Sequence, residues 1–263
     1  MPFQIPPEFW SYLGVGVLAQ MVDGCLGMAY GVISTTVLLA AGLSPASASA
    51  SVHAAKVFTG AASAAAHWGM GNVEKRLLIL LSIGGVLGGV LGTYVLTSID
   101  GKALKPYITG WLFLMGLVII YRAWRGARPN PLPWLHPTGL GLFGGVFDAI
   151  GGGGWGPVVT GTLLGTGTDP KKAIGTTNAA EFFMAVAVSV SFVGALVTGH
   201  WKDAGILDVF WPLLGLIVGG VAAAPLAGWM TKVMPLRLLT WFVGFLIIGL
   251  SLWQWADTFK LFK

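Results

Sequence analysis

The chain has 263 residues, 55% of them hydrophobic and 10% charged, with a mean hydropathy of +0.79. A charged fraction so far below the roughly 25% of soluble domains excludes a soluble globular protein and reads as an all-α polytopic membrane protein. The formal net charge of +5 comes from basic residues at the ends of apolar runs, where they set orientation and give no reason to expect nucleic acid, and the single cysteine, Cys25, excludes a disulfide framework and a multi-cysteine metal site.

Residues 1–10 hold no Lys or Arg, so they lack the basic start of a cleavable signal peptide. Ser11 to Ala41 is one apolar stretch, longer than a single span needs, whose middle reads Asp23-Gly24-Cys25-Leu26-Gly27-Met28-Ala29-Tyr30-Gly31. The spacing predicts a helix broken there into two limbs of about 14 residues, each ~21 Å long and ending near the middle of the membrane. Ser44-Pro45 is a helix start, a capping side chain followed by proline at the first helical position. Three spans follow, at residues 45–67, 74–97 and 103–124. A linker at 126–138, rich in proline and arginine, then leads to a second half at 139–263. Its leading segment breaks at Asp148-Ala149-Ile150-Gly151-Gly152-Gly153-Gly154-Trp155-Gly156-Pro157, its next helix starts at Asp169-Pro170, and its spans are 170–198, 206–230 and 235–256.

The second half repeats the first, residues 1–125, at a constant offset of 125: Asp23 returns as Asp148, Tyr30-Gly31 as Trp155-Gly156, and Ser51-Val52-His53-Ala54-Ala55-Lys56 as Thr176-Thr177-Asn178-Ala179-Ala180-Glu181. The expected architecture is two homologous repeats, each a broken or re-entrant hairpin plus three transmembrane helices, 8–10 membrane segments in all. If each leading segment enters and leaves on one side, nine of the flanking basic residues share one face and five the other. That bias favours the re-entrant form and makes the repeats inverted. Gly84, Gly88 and Gly92, with Gly215 and Gly219, form small-residue faces for close helix packing.

Four ionisable residues fall inside apolar spans: Asp23, Lys56, Asp148 and Glu181. A charge at the bilayer centre costs at least ~2.5–3.5 kcal/mol, so such residues face the protein interior and mark a pathway. Lys56 and Glu181 are equivalent positions that either pair with one another or divide the work, Lys56 meeting an anion while Glu181 exchanges a proton. Asp23 and Asp148 either join in that coupling or cap the helix that restarts beside them. His53 and Asn178 sit one turn before Lys56 and Glu181 and share their helix faces. A helix restarting after a glycine turn presents N–H groups that bind anions, which nominates Gly27, Tyr30, Gly31, Gly153, Gly154, Trp155 and Gly156. The nearby hydroxyls of Thr35, Thr160, Ser51, Thr176 and Thr177 complete the candidate binding set. His67-Trp68 and His200-Trp201 read as interfacial pairs.

The run from Phe147 to Pro157, then Gly165, Thr168-Asp169-Pro170 and Ala173-Ile174-Gly175-Thr176-Thr177-Asn178, resembles the TauE/SafE sulfite exporter family, with a weaker echo from Asp23 through Gly31 and Ser44-Pro45 to Ser51. The resemblance implies a secondary transporter of a small organosulfur anion, sulfite or a sulfonate such as sulfoacetate, working in the bacterial inner membrane as a proton-coupled exporter. The expected partners are that anion, a proton and the lipid bilayer, with a homodimer left open and no cofactor or metal. A passive anion channel is the nearest alternative. An intramembrane aspartyl protease fits poorly, because Val146-Phe147 precedes Asp148 where those enzymes carry Gly-x-Gly. A metal carrier using Asp23, Cys25 and His53 has too few convergent ligands.

Overall fold

A computed structural model describes residues 5–125, 136–201, 206–233 and 236–260, and among them every regular element is a helix. In chain order these are α1 (Glu8–Leu26), α2 (Tyr30–Ala40), α3 (Pro45–Gly69), α4 (Lys75–Ser98), α5 (Gly101–Arg125) and α6 (Pro137–Gly151). A π-helical turn (Trp155–Thr160) runs on as α7 (Gly161–Gly165), followed by α8 (Pro170–Val197), α9 (Ile206–Val233) and α10 (Leu236–Thr258). The six long helices fall on the six expected spans. Most of the expected linker, residues 126–135, lies outside the described residues.

The breaks occur where the sequence placed them, and their local chemistry matches at the offset of 125. Gly27 and Gly152 end α1 and α6 in the left-handed conformation, with φ of 65° and 66°, which glycine adopts without a Cβ penalty. Each donates its N–H to the carbonyl of the preceding aspartate, Asp23 at 2.6 Å and Asp148 at 2.5 Å. The next helices also start alike: the Ser44 hydroxyl accepts from Ser47 N and the Asp169 carboxylate from Lys172 N, each at 3.1 Å. The limbs differ from the expected even pair. α1 has 19 residues and α6 has 15, against 11 for α2. α1 is therefore ~28 Å long and α2 ~16 Å, because Glu8–Leu26 contains no glycine run to stop the helix early.

Each leading helix packs on the other half: α1 lies along α9 and α6 along α4, while α3 and α8 meet at the centre and α5 pairs with α10. The glycine faces make the crossings close. Gly84, Gly88 and Gly92 of α4 back onto the main chain of Thr138, Leu142 and Val146, and Gly141 and Gly145 of α6 back onto Leu81 and Gly85. Gly215 and Gly219 of α9 meet Tyr12, Leu13 and Val17 in the same way. A side chain at Gly84 would strike the Thr138 carbonyl. Gly84→Leu is therefore expected to prise α4 from α6 and cost roughly 1–3 kcal/mol, read as a lower thermal midpoint in detergent.

Lys75–Ser98, Gly101–Arg125 and Pro170–Val197 are long and apolar enough to cross a membrane. Ile79, Ile83, Leu87 and Val90 of α4 and Leu114 and Leu117 of α5 are exposed, as side chains in contact with lipid are. α3 is different. Its first twelve residues are nearly all buried, among them Ser47, Ser49, Ser51, His53 and Lys56, which places a polar helix at the centre of the bundle. Trp68 is exposed at the end of α3, whereas Trp201 is buried against Phe192 at 5.4 Å. Trp201 is thus a packing residue and not the expected interfacial one.

Candidate functional site

The two helix breaks touch. Gly31 backs onto the Gly152 carbonyl, Gly153 onto Val32, Gly156 onto Met28 and Ala29, and Gly152 onto Thr35. Only backbone without side chains allows these approaches. Irregular chain from the two halves therefore meets inside the bundle, where it is sheltered from lipid as such chain must be.

The amides that restart each helix are taken by the aspartates. Asp23 Oδ1 accepts from Tyr30 N at 3.2 Å, and Asp148 Oδ1 accepts from Gly154 N at 2.7 Å and Trp155 N at 2.9 Å. These N–H groups were expected to face a bound anion; instead each break carries its own carboxylate. Asp148 is fully buried, and its Oδ2 meets His53 Nε2 at 3.0 Å and Lys56 Nζ at 2.9 Å. Lys56 also pairs with Glu181 Oε1 at 2.8 Å. The equivalent residues of α3 and α8 are thus directly bonded, with Asp148 of the second break as the third member. His53 Nδ1 faces the Ser49 carbonyl at 2.8 Å while Ser49 Oγ donates to Ala149 O. Both ring nitrogens therefore have an oxygen partner within hydrogen-bonding distance.

A small polar cavity, open on one side, lies beside this cluster. Gln20, Asp23, Tyr30, Lys56, Thr59, Gly60, Ser63, Asn178 and Glu181 line it. A second small pocket shares Asp23, Tyr30, Lys56 and Glu181 with it and is lined by Gly31, Asp148, Gly153 and Gly156 among others. Of the residues nominated from sequence, Asp23, Tyr30, Gly31, Lys56, Asp148, Gly153, Gly156, Asn178 and Glu181 thus come together, with His53 behind Asp148. The others lie outside the cavity. Gly27 packs on Ile174, and Thr35 packs on Gly152 with its buried hydroxyl unbonded among the described residues. The Gly154 amide is held by Asp148. Trp155 is buried and donates to the Thr177 carbonyl at 3.1 Å, and Thr160 donates to the Thr177 hydroxyl at 2.9 Å. Ser51 bonds back to Ser47 O at 2.8 Å, and Thr176 accepts from Glu74 N at 2.9 Å. Gln20 and Thr59 were missed. Each stands one turn from a nominated residue, Asp23 or Lys56, and that spacing was the available signal.

The positions 125 residues beyond the lining are filled. Gln20, Tyr30, Thr59, Gly60 and Ser63 correspond to Gly145, Trp155, Met184, Ala185 and Val188, all buried. Tyr30 and Thr59 pack beside Gly220, and Trp155 and Met184 pack beside Gly85. One side of the bundle centre is therefore a polar cavity, and the positions 125 residues further on form a buried apolar plug.

Comparison with known proteins follows the same lines. A family model described as sulfite exporter TauE/SafE matches residues 12–254. The chain is 42% identical over 241 residues to the probable membrane transporter protein YtnM of Bacillus subtilis (strain 168), across 89% of this chain and 78% of that protein. No solved structure matches significantly. The buried charges at the meeting of two broken helices thus sit within a match that takes in most of the chain, and the chain belongs to the TauE/SafE sulfite exporter family of multi-pass membrane transporters.

Proposed function

We propose that the protein is a proton-coupled secondary transporter that exports a small organosulfur anion, sulfite or a sulfonate such as sulfoacetate, across the bacterial inner membrane. The observation that carries this reading is the sharing of Lys56 between Asp148 and Glu181 at the edge of an open cavity beside the touching breaks. Lys56 supplies the positive charge an anion seeks, and the carboxylates beside it are groups that exchange protons. Ionisable residues so placed mark transport pathways in membrane proteins. The matching breaks at Gly27 and Gly152, and the crossed packing of α1 on α9 and α6 on α4, support two inverted repeats, 1–125 and 139–263, joined by 126–138. Such repeats bind substrate where their discontinuous helices meet.

Purified protein in liposomes tests the reading. A pH gradient imposed alone should drive accumulation of sulfite, thiosulfate or sulfoacetate, and a protonophore should abolish it. Equilibration without accumulation would make the protein a passive channel. Glu181→Gln is expected to retain membrane insertion and to flatten the pH dependence of flux, and an unaltered profile would remove Glu181 from the coupling role.

A further inference from the structure

Anion and charge are mismatched in the cavity as it stands. Among the described residues, the ionisable groups around it are Asp23 of α1, Tyr30 of α2, His53 and Lys56 of α3, Asp148 of α6 and Glu181 of α8. Tyr30 donates its hydroxyl to the Leu216 carbonyl at 3.3 Å and remains neutral. Three carboxylates then face at most two cations, even with His53 doubly protonated. An anion entering such a site adds at least one further unbalanced charge where the dielectric is low, and two if it is divalent as sulfoacetate and thiosulfate are, and that is unfavourable.

The carboxylates are not equivalent. Asp148 has both oxygens engaged, one by two backbone amides and one by His53 and Lys56. Protonating it would break contacts that hold the second break. Asp23 accepts one amide on one oxygen, and Glu181 one ammonium on one oxygen. Each has its other oxygen without a bond among the described residues, and both line the cavity. The same cavity holds a donor that brings no negative charge. Gln20 is 6% exposed, lines the cavity, and its amide makes no hydrogen bond among the described residues. Ser63 accepts from Asn178 Nδ2 at 3.1 Å, which leaves its own O–H free to donate.

We infer that the anion sits on Gln20, Ser63 and Lys56 only when Asp23, Glu181 or both are protonated, so that anion and proton bind together and cross in the same direction. This rests on the transporter reading above and gives its coupling a sign. An acid exterior draws the anion inward, so export proceeds only where the outward anion gradient exceeds the opposing proton gradient. The residue that fixes the site as an anion seat is Gln20, and the residues that carry the proton are Asp23 and Glu181, with Asp148 a permanent counterion.

Calorimetric titration of the purified full chain with sulfoacetate and with thiosulfate decides this, because both stay fully ionised from mildly acid to mildly alkaline solution and bring no proton of their own. Repeating it in buffers of different ionisation enthalpy counts protons. The expected result is uptake of one to two protons per anion bound, with affinity rising about ten-fold per unit fall in pH for one proton and about a hundred-fold for two. Glu181→Gln and Asp23→Asn should each lower the proton count while binding persists. Gln20→Ala should weaken affinity and leave the count unchanged. Binding with no proton uptake, with proton release, or with affinity set by sodium instead of pH overturns the inference and leaves the transporter reading standing. Unchanged counts in both carboxylate variants overturn the assignment to Asp23 and Glu181. No binding of any sulfur anion at any pH overturns both.

Discussion

Asp148→Ala is expected to abolish flux in liposomes and to lower stability by roughly 3–5 kcal/mol, the usual cost of removing one partner from a buried ion pair. Four groups would lose an acceptor at once: Gly154 N, Trp155 N, His53 Nε2 and Lys56 Nζ. The first two hold the restart of the helix after the second break, and the last two hold the charge of α3. Glu181 alone would then remain to balance Lys56. Asp148→Asn separates the two losses. Its side-chain oxygen still accepts from the two amides, while its amide group faces the ammonium and the imidazole without a charge. Stability should recover in part, and flux should not. Retained flux in Asp148→Asn would show that the charge at this position is dispensable.

Gly31→Val should reduce transport to background in protein that still inserts into the membrane. A Cβ at Gly31 would land on the Gly152 carbonyl and lie 2.8 Å from Lys56 Nζ. Neither neighbour is the end of a flexible side chain free to swing away, since the first is backbone and the second is tied to two carboxylates. The breaks would be forced apart, at a cost of roughly 1–3 kcal/mol, and the cluster they surround would be displaced. Gly139 is the control. Nothing lies within 4 Å of a Cβ there, so Gly139→Ala should leave flux unchanged. Comparable losses in the two variants would mean that glycine replacement harms this protein generally and that the meeting of the breaks has no special role.

What could be seen in the sequence was local chemistry. Ser44-Pro45 and Asp169-Pro170 announced helix starts because capping and proline geometry are properties of adjacent residues. Gly27 and Gly152 announced breaks because a left-handed residue favours glycine. Lys56 and Glu181 were open to pairing from the offset alone, since matched positions on matched helices meet near a shared axis. The occupation of the restart amides by Asp23 and Asp148 was weighed only as capping, and the outcome depends on where each carboxylate turns after the chain has folded. The engagement of Ser51, Thr160, Thr176 and Thr177 outside the cavity was hidden for a related reason. Helical hydroxyls bond equally well to their own backbone, and periodicity shows the face they occupy but not the acceptor they choose. Gln20 escaped because a single amide in an apolar helix has no motif, only its distance of one turn from Asp23.

The plug of Trp155, Met184, Ala185 and Val188 opposite the polar cavity has a consequence for an idle carrier. Water threading the whole bundle would let hydrogen ions hop from carboxylate to carboxylate and discharge the cell's electrochemical battery. Four buried side chains without an ionisable group would interrupt that wire on one side and let a carrier of the proposed kind insulate between cycles.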